Sequence, residues 1–152
     1  SVAGEQDAAE AMALGQYIAG MGFSNVGLGL VHGMAHPLGA FYNTPHGVAN
    51  AVLLPHIMRY NAEYTGDKFR DIARAMGVKV EGLSLADARS AAIDAVLTLN
   101  RDVGIPLHLR DVGVQQADIP ALAQAALDDV CTGGNPRGAS IADITELYHT
   151  AW

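Results

Sequence analysis

The sequence predicts an all-α fold, an irregular helical bundle whose second helix is buried. Seven stretches carry helical patterns with recognisable start or stop residues, and no stretch alternates apolar and polar residues as a half-buried strand would. No repeat or low-complexity linker interrupts them. At 152 residues, 50% of them hydrophobic, the chain has the length of one domain and enough apolar residues to exclude disorder.

The first two helices are predicted in a segment rich in alanine and glycine. One spans 5–21, with acidic residues in its first turn and Gly22 as its stop. Asn25 is expected to cap the second, which runs from 26 to about 41. Its glycines lower helix propensity but let neighbouring backbones approach closely, so tight packing is expected around it.

Proline residues shape the third helix. Thr44-Pro45-His46-Gly47 breaks the chain, because the residue before a proline is driven away from the helical region. A helix over 48–61 is predicted to follow, with a kink at Pro55.

The second half of the chain shows conventional helix signals. Gly77 and Gly104 are stops, Ser84 and Ser140 begin capping boxes, and Pro120 lies in a first turn. The four predicted helices span 68–76, 85–103, 118–131 and 140–149.

Charge is distributed unevenly. The chain has 9 Lys+Arg against 16 Asp+Glu, a net charge of −7, and no basic cluster, which argues against nucleic acid as a partner. Between Ala11 and Ala62 only Arg59 is formally charged. Polar residues recur too often in this segment for a membrane span, so we expect it to be buried inside a larger assembly. Because the chain also opens at Ser1 rather than methionine, we expect a fragment.

Three histidines in this charge-poor segment have metal-site spacing. His32 and His36 lie four residues apart, about 40° from each other on a helix, and face the same side. Gly33 stands where a zinc protease needs glutamate, which excludes that class. On a straight helix His46 would lie about 21 Å from His32 along the axis, so it joins the pair only if the chain folds back at Pro45.

Two interpretations of the histidines remain open at this point. In one, they bind a metal or act in catalysis; in the other, they are packing residues or an oligomer contact of a non-catalytic helical module. No carboxylate lies between Glu10 and Glu63. Further ligands of a metal would therefore come from the second half of the chain or from residues that this sequence lacks.

The same residues carry a resemblance to a known family. The stretch Gly29-Leu-Val-His32-Gly-Met-Ala-His36-Pro-Leu-Gly39, with the later Pro45-His46-Gly47, resembles the iron-dependent (group III) alcohol dehydrogenases. The similarity continues through Gly104-Ile105-Pro106 and Cys131-x-x-x-Asn135-Pro136, so it covers the whole chain.

The resemblance implies a function and a role for individual residues. It makes this chain, over 1–152, the C-terminal part of the iron-binding helical domain, without the dinucleotide-binding domain and without the Asp-x-x-x-His pair that supplies two of four ligands. His32 and His46 correspond to the other two ligands of Fe²⁺, for which Zn²⁺ is a possible substitute. His36 corresponds to a catalytic residue beside the NAD(H) nicotinamide.

The resemblance also implies a small alcohol or aldehyde substrate, and a homodimer when the protein is complete. Phe23 and Cys131 are expected to line the substrate pocket. Other members of the family, such as glycerol or butanol dehydrogenases, share the histidines but have different pockets. Cys131 is the only cysteine and cannot form an internal disulfide, which favours a reducing, cytoplasmic setting. No membrane is expected as a partner, because no run of about 18 to 20 apolar residues is present.

Overall fold

The computed structural model describes residues 4–152 and consists of helices and connecting turns, with no strand in that range. Ser1, on which the expectation of a fragment partly rests, lies outside the described residues. The seven α-helices are α1 (Gln6–Val26), α2 (Leu30–Tyr42), α3 (His46–Asn61), α4 (Lys68–Ala75), α5 (Leu85–Asp102), α6 (Ile119–Asp128) and α7 (Ile141–Ala151). The predicted all-α class and the number of helices are confirmed.

The boundary between α1 and α2 differs from the prediction. Gly22 does not stop α1, which continues to Val26 and ends where Gly27 adopts a left-handed φ of 84°. Asn25 lies inside α1, where its side-chain amide donates a hydrogen bond of 2.7 Å to the Met21 carbonyl, so it does not cap α2. Gly29 is the N-cap of α2, without a side-chain cap.

The remaining boundaries agree with the sequence more closely. The Ser84 and Ser140 hydroxyls accept hydrogen bonds from the Asp87 and Asp143 backbone N–H groups, as predicted. Helix α3 begins at His46, two residues earlier than predicted. Helix α6 ends at Asp128 rather than at Cys131, because Asp129 takes an extended conformation with ψ of 134°.

The core lies around α2, as the sequence predicted. Leu30, Met34 and Leu38 of this helix are fully buried against α3, α6 and α7. Tyr148 of α7 is also buried, and its hydroxyl donates a hydrogen bond of 2.7 Å to the Met34 carbonyl. A second, smaller core joins α4 and α5 to α3.

A side chain from α5 compensates for the proline inside α3. Pro55 has no N–H to donate to the carbonyl of Ala51 one turn earlier. The amide of Asn100, a buried residue of α5, donates to that carbonyl at 2.7 Å. The contact satisfies the free acceptor and joins α5 to α3 in the same place.

The first helix has no buried residue. Its seven large apolar side chains are between 45% and 83% exposed: Met12, Leu14, Tyr17, Ile18, Met21, Phe23 and Val26. Within the charge-poor segment, α2 and α3 therefore contribute buried residues to the core, whereas the apolar side chains of α1 are exposed. Over the described part of the chain, no helix combines the length and apolar composition that crossing a membrane requires.

His56 on α3 is expected to make stability depend on pH. Burial lowers the pKa of His56, and the charges of Arg59 and His108 lower it further. Its Nδ1 is buried without a hydrogen-bond partner among residues 4–152. Since the unfolded chain binds this proton more readily, folding stability begins to fall below the unfolded pKa of about 6.5 and is lost as the pH falls through the lowered folded pKa.

The measurement is urea unfolding between pH 8 and pH 5. His56→Gln should lose stability less steeply with acid than the wild type does. His149→Gln, which removes an exposed histidine near the end of α7, is the control. Equal steepness in the wild type and the His56→Gln variant would contradict the assignment.

Candidate active site

A tight reversal between α2 and α3 brings the three histidines of the charge-poor segment together. His32 and His36 lie on α2, and His46 is the first residue of α3. Asn43, the C-cap residue of α2, adopts a left-handed φ of 53°, and Pro45 is the N-cap residue of α3. The chain folds back at this point, as the sequence analysis required for the three side chains to meet.

The imidazole rings form a compact triangle. The ring centroids of His32 and His46 are 5.3 Å apart, those of His36 and His46 are 5.6 Å apart, and those of His32 and His36 are 6.0 Å apart. Two imidazoles bound to one tetrahedral ion at about 2.1 Å have ring centroids about 5.3 Å apart. The separation of His32 and His46 therefore suits a shared ion.

The His32 ring is free to bind a metal ion, whereas the Asn50 amide already lies beside one nitrogen of the His46 ring. Among the described residues, no group hydrogen-bonds to the His32 ring, whose nitrogens are free to bind a ligand. The Asn50 amide lies 3.1 Å from His46 Nε2 and donates at 2.8 Å to the His46 carbonyl, one turn along α3. Burial lowers the pKa of His32, and the neighbouring His46 and His36 lower it further, which favours the neutral, ligating form.

His36 has a different partner. Its Nδ1 lies 2.8 Å from Asp129 Oδ2 in the segment after α6, and the Asp129 side chain is only 16% exposed. The other carboxylate oxygen accepts a hydrogen bond of 2.8 Å from the Cys131 backbone N–H. Burial acts to raise the pKa of Asp129, but the hydrogen bonds from Cys131 and His36 lower it overall, so the carboxylate is ionised at neutral pH.

Asp129 is a residue of the site that the sequence did not predict. The bond joins residues 93 positions apart, and no spacing motif connects them. The only sequence signal was the acidic pair Asp128-Asp129 just before Cys131. The second half of the chain thus brings a carboxylate to the histidines, but this carboxylate contacts His36 rather than His32 or His46.

The distances between possible ligand atoms also distinguish His36 from the other two histidines. Within residues 4–152, the one set of three His, Cys, Asp or Glu side chains whose ligand atoms all lie within 4.8 Å of one another is His36, Asp129 and Cys131. The three histidines do not form such a set. Asp129 engages only Nδ1 of His36, so the choice of His32 and His46 as the pair suited to one ion rests on their ring separation of 5.3 Å and not on this contact.

The two residues expected in the substrate pocket lie near different histidines of the triangle. The Phe23 ring lies 6.3 Å from the His32 ring and lines an apolar cleft of about 540 Å³ together with His32, Leu54 and Asn135. Cys131 lies beside Asp129 instead, and it does not line this cleft. Burial raises the pKa of the Cys131 thiol, and the Asp129 carboxylate raises it further.

The residues present fit a divalent iron ion in part. Neutral imidazole is a suitable ligand for Fe²⁺, and His32 and His46 supply two such groups. A catalytic metal site has three or more protein ligands. Among the described residues no carboxylate completes the pair, so His32 and His46 by themselves provide fewer ligands than a catalytic site needs.

The chain is similar to characterised alcohol dehydrogenases. All of residues 1–152 match the family described as Fe-containing alcohol dehydrogenase family, C-terminal. The chain is 81% identical over 152 residues to lactaldehyde reductase of Escherichia coli (strain K12), covering 100% of this chain and 40% of that protein. It is 43% identical over 145 residues to NAD-dependent methanol dehydrogenase of Bacillus methanolicus, covering 95% of this chain and 38% of that protein.

A solved structure shows the same fold. The crystal structure of a 1,3-propanediol oxidoreductase superimposes with a TM-score of 0.86 at 50% identity, covering 88% of this chain and 35% of the other. This chain therefore spans about two fifths or less of the length of these relatives.

Proposed function

The chain belongs to the iron-containing alcohol dehydrogenase family, matching its C-terminal part over residues 1–152, and from this premise we propose that the complete protein is an NAD-linked lactaldehyde reductase. It interconverts lactaldehyde and 1,2-propanediol by moving a hydride between the substrate carbon and the nicotinamide. The observation that carries the proposal is the approach of His32 to His46 across the Pro45 turn, in a chain 81% identical to lactaldehyde reductase.

We assign the metal to His32 and His46, with two further ligands from the part of the protein that precedes this chain. The ion is Fe²⁺, and Zn²⁺ can replace it because it binds the same imidazole ligands. When bound, the metal supplies Lewis-acid polarisation of the carbonyl oxygen. Asn50 positions His46 by its two contacts along α3.

His36 exchanges the proton that accompanies hydride transfer and lies beside the nicotinamide. In reduction it gives a proton to the substrate oxygen, and in oxidation it takes one from the hydroxyl, directly or through a water. Phe23 and Cys131 line the substrate pocket, Phe23 beside His32 and Cys131 near His36. Phe23 supplies an apolar wall near His32, and Cys131, kept as a neutral thiol by its raised pKa, lies near Asp129.

We propose that the complete protein is a cytoplasmic homodimer and that its other domain binds the dinucleotide. The exposed apolar side chains of α1 pack against parts of the protein that this chain lacks, because such a surface is unfavourable in water. The 152-residue chain alone is expected to be inactive, since two histidines bind a divalent ion weakly.

The test is oxidation of NADH in the presence of lactaldehyde, followed by absorbance, for the complete protein and for the 152-residue chain. The complete protein loaded with iron should turn over, and the isolated chain should not. A panel containing 1,3-propanediol, glycerol, butanol and methanol in the reverse direction establishes the preferred substrate. Activity on one of these and none on 1,2-propanediol would refute the proposed substrate but not the family.

Replacing His36 by alanine in the complete protein separates proton exchange from metal binding. His36→Ala should lower kcat by about 100-fold or more, the usual contribution of a general acid or base. Bound iron should remain near one equivalent, measured by elemental analysis. Loss of the iron in this variant would identify His36 as a ligand and contradict its assignment.

A further inference from the structure

We propose that Asp129 is a positioning residue of this reaction, whose carboxylate holds His36 in the tautomer that carries its proton on Nδ1 and leaves Nε2 as the nitrogen that exchanges the substrate proton. The inference rests on the proposed function, because it assumes that His36 exchanges that proton. It adds a residue from the far end of the chain to the site.

The geometry between Asp129 and His36 is that of a direct hydrogen bond. The distance from Nδ1 to Oδ2 is 2.8 Å, within the range of charge-assisted hydrogen bonds. Two ligands of one tetrahedral ion at about 2.1 Å would lie about 3.4 Å apart. The closer approach argues against a metal between the two groups, although Cys131 lies near enough to complete a set of three.

The carboxylate is held from the other side by the backbone. Its Oδ1 accepts from the Cys131 N–H at 2.8 Å, and the Asp129 carbonyl accepts from the Thr132 N–H at 3.1 Å. The Thr132 hydroxyl donates at 2.6 Å to the Ala126 carbonyl of α6. These hydrogen bonds fix the segment that carries Asp129 independently of its contact with His36. The position of the carboxylate therefore sets the orientation of the imidazole, and not the reverse.

Close packing between this segment and α2 makes the contact possible. A side chain at Gly33 would collide with the Thr132 side chain, because the two elements touch at that residue. Gly33 lies between His32 and His36, so the absence of its side chain lets the segment after α6 approach the turn that carries both histidines. Gly33, which stands where a zinc protease would have glutamate, thus has a packing function.

The negative charge of Asp129 determines which nitrogen of His36 carries the proton. An ionised carboxylate accepts a hydrogen bond and cannot donate one, so the proton of neutral His36 lies on Nδ1 and Nε2 has a free lone pair. Within the described residues no group hydrogen-bonds to Nε2. When a hydroxyl proton moves to Nε2 in alcohol oxidation, the resulting imidazolium is stabilised by Asp129, and the hydride leaves the same substrate carbon for NAD⁺. In reduction both transfers run in the opposite direction.

The test compares Asp129→Asn with Asp128→Asn in the complete, iron-loaded protein. Asp129→Asn should lower kcat about 10- to 100-fold, by analogy with the loss of a group that orients a metal-bound histidine, with little change in KM or iron content. Asp128 is the adjacent exposed carboxylate, bonded to Gln124, and its variant should retain wild-type kcat. Asp129→Glu, which retains the charge, should recover part of the lost kcat.

A spectroscopic measurement tests the tautomer independently of activity. Nitrogen-15 chemical shifts of His36 in the complete, zinc-loaded protein should show Nδ1 protonated in the wild type, and a changed tautomer balance in Asp129→Asn. In His36→Ala, adding Asp129→Asn should cost no further kcat, because the carboxylate acts through the imidazole.

Three results would overturn the proposal: a wild-type His36 protonated on Nε2, an Asp129→Asn kcat within twofold of wild type, or loss of iron in that variant. Absence of lactaldehyde turnover in the wild type would refute the proposed function instead. In that case the nitrogen-15 measurement would still show whether Asp129 sets the tautomer of His36.

Discussion

His46→Ala in the complete protein is expected to remove bound iron and abolish measurable reduction of lactaldehyde. His46 is the first residue of α3, and its ring is 5.3 Å from that of His32. Substitutions that only disturb the groups around a metal ligand cost about 10- to 100-fold in affinity or activity, and loss of a ligand should cost more. Elemental analysis and the NADH assay measure the two effects.

The control for this prediction is His149→Ala, because His149 is an exposed histidine of α7. It should retain iron and activity. Asn50→Ala, which removes a neighbour of His46 without removing a ligand, should show a smaller loss than His46→Ala. An iron-replete, active His46→Ala enzyme would mean that the histidine is a packing residue, as the non-catalytic interpretation held.

Gly134→Ala is expected to have the largest effect on folding. A side chain at Gly134 would overlap the Leu28 carbonyl, a backbone atom of the segment that leads into α2. Backbone cannot move aside as the end of a flexible side chain can, so we expect a loss of about 3 kcal/mol, at the upper end of the usual cost of overpacking. The free energy of unfolding from urea titration measures it.

Gly133→Ala is a control one residue away. A side chain at Gly133 would meet no atom within 4 Å, and its φ lies outside the left-handed region. We expect it to change the free energy of unfolding by less than about 0.5 kcal/mol. Similar losses in both variants would show that Gly134 does not pack against the Leu28 carbonyl.

Local sequence signals were sufficient for most of the fold. Ser84 and Ser140 start helices, and Gly77 and Gly104 follow helix ends with φ of 85° and 75°. The prediction was wrong where several glycines compete. Gly22 and Gly27 are both possible stops, and only Gly27 adopts the left-handed conformation. Propensity alone does not distinguish them.

The candidate site was predictable only where its residues are close in sequence. The histidine spacing and the break at Pro45 indicate that His32, His36 and His46 meet. Asp129 is 93 residues from His36, and its position depends on the packing of α6 against α2 and on the space left at Gly33. Such contacts arise from tertiary structure and leave no spacing pattern in one sequence.

Anomalous diffraction at the iron edge, on crystals of the complete iron-loaded protein, tests the central claim most directly. One iron peak is expected at about 2.1 Å from a ring nitrogen of both His32 and His46, the usual length of a metal–imidazole bond. His36 should remain bonded to Asp129 and outside the coordination sphere. Iron bound at His36, Asp129 and Cys131, with His32 and His46 free, would contradict it.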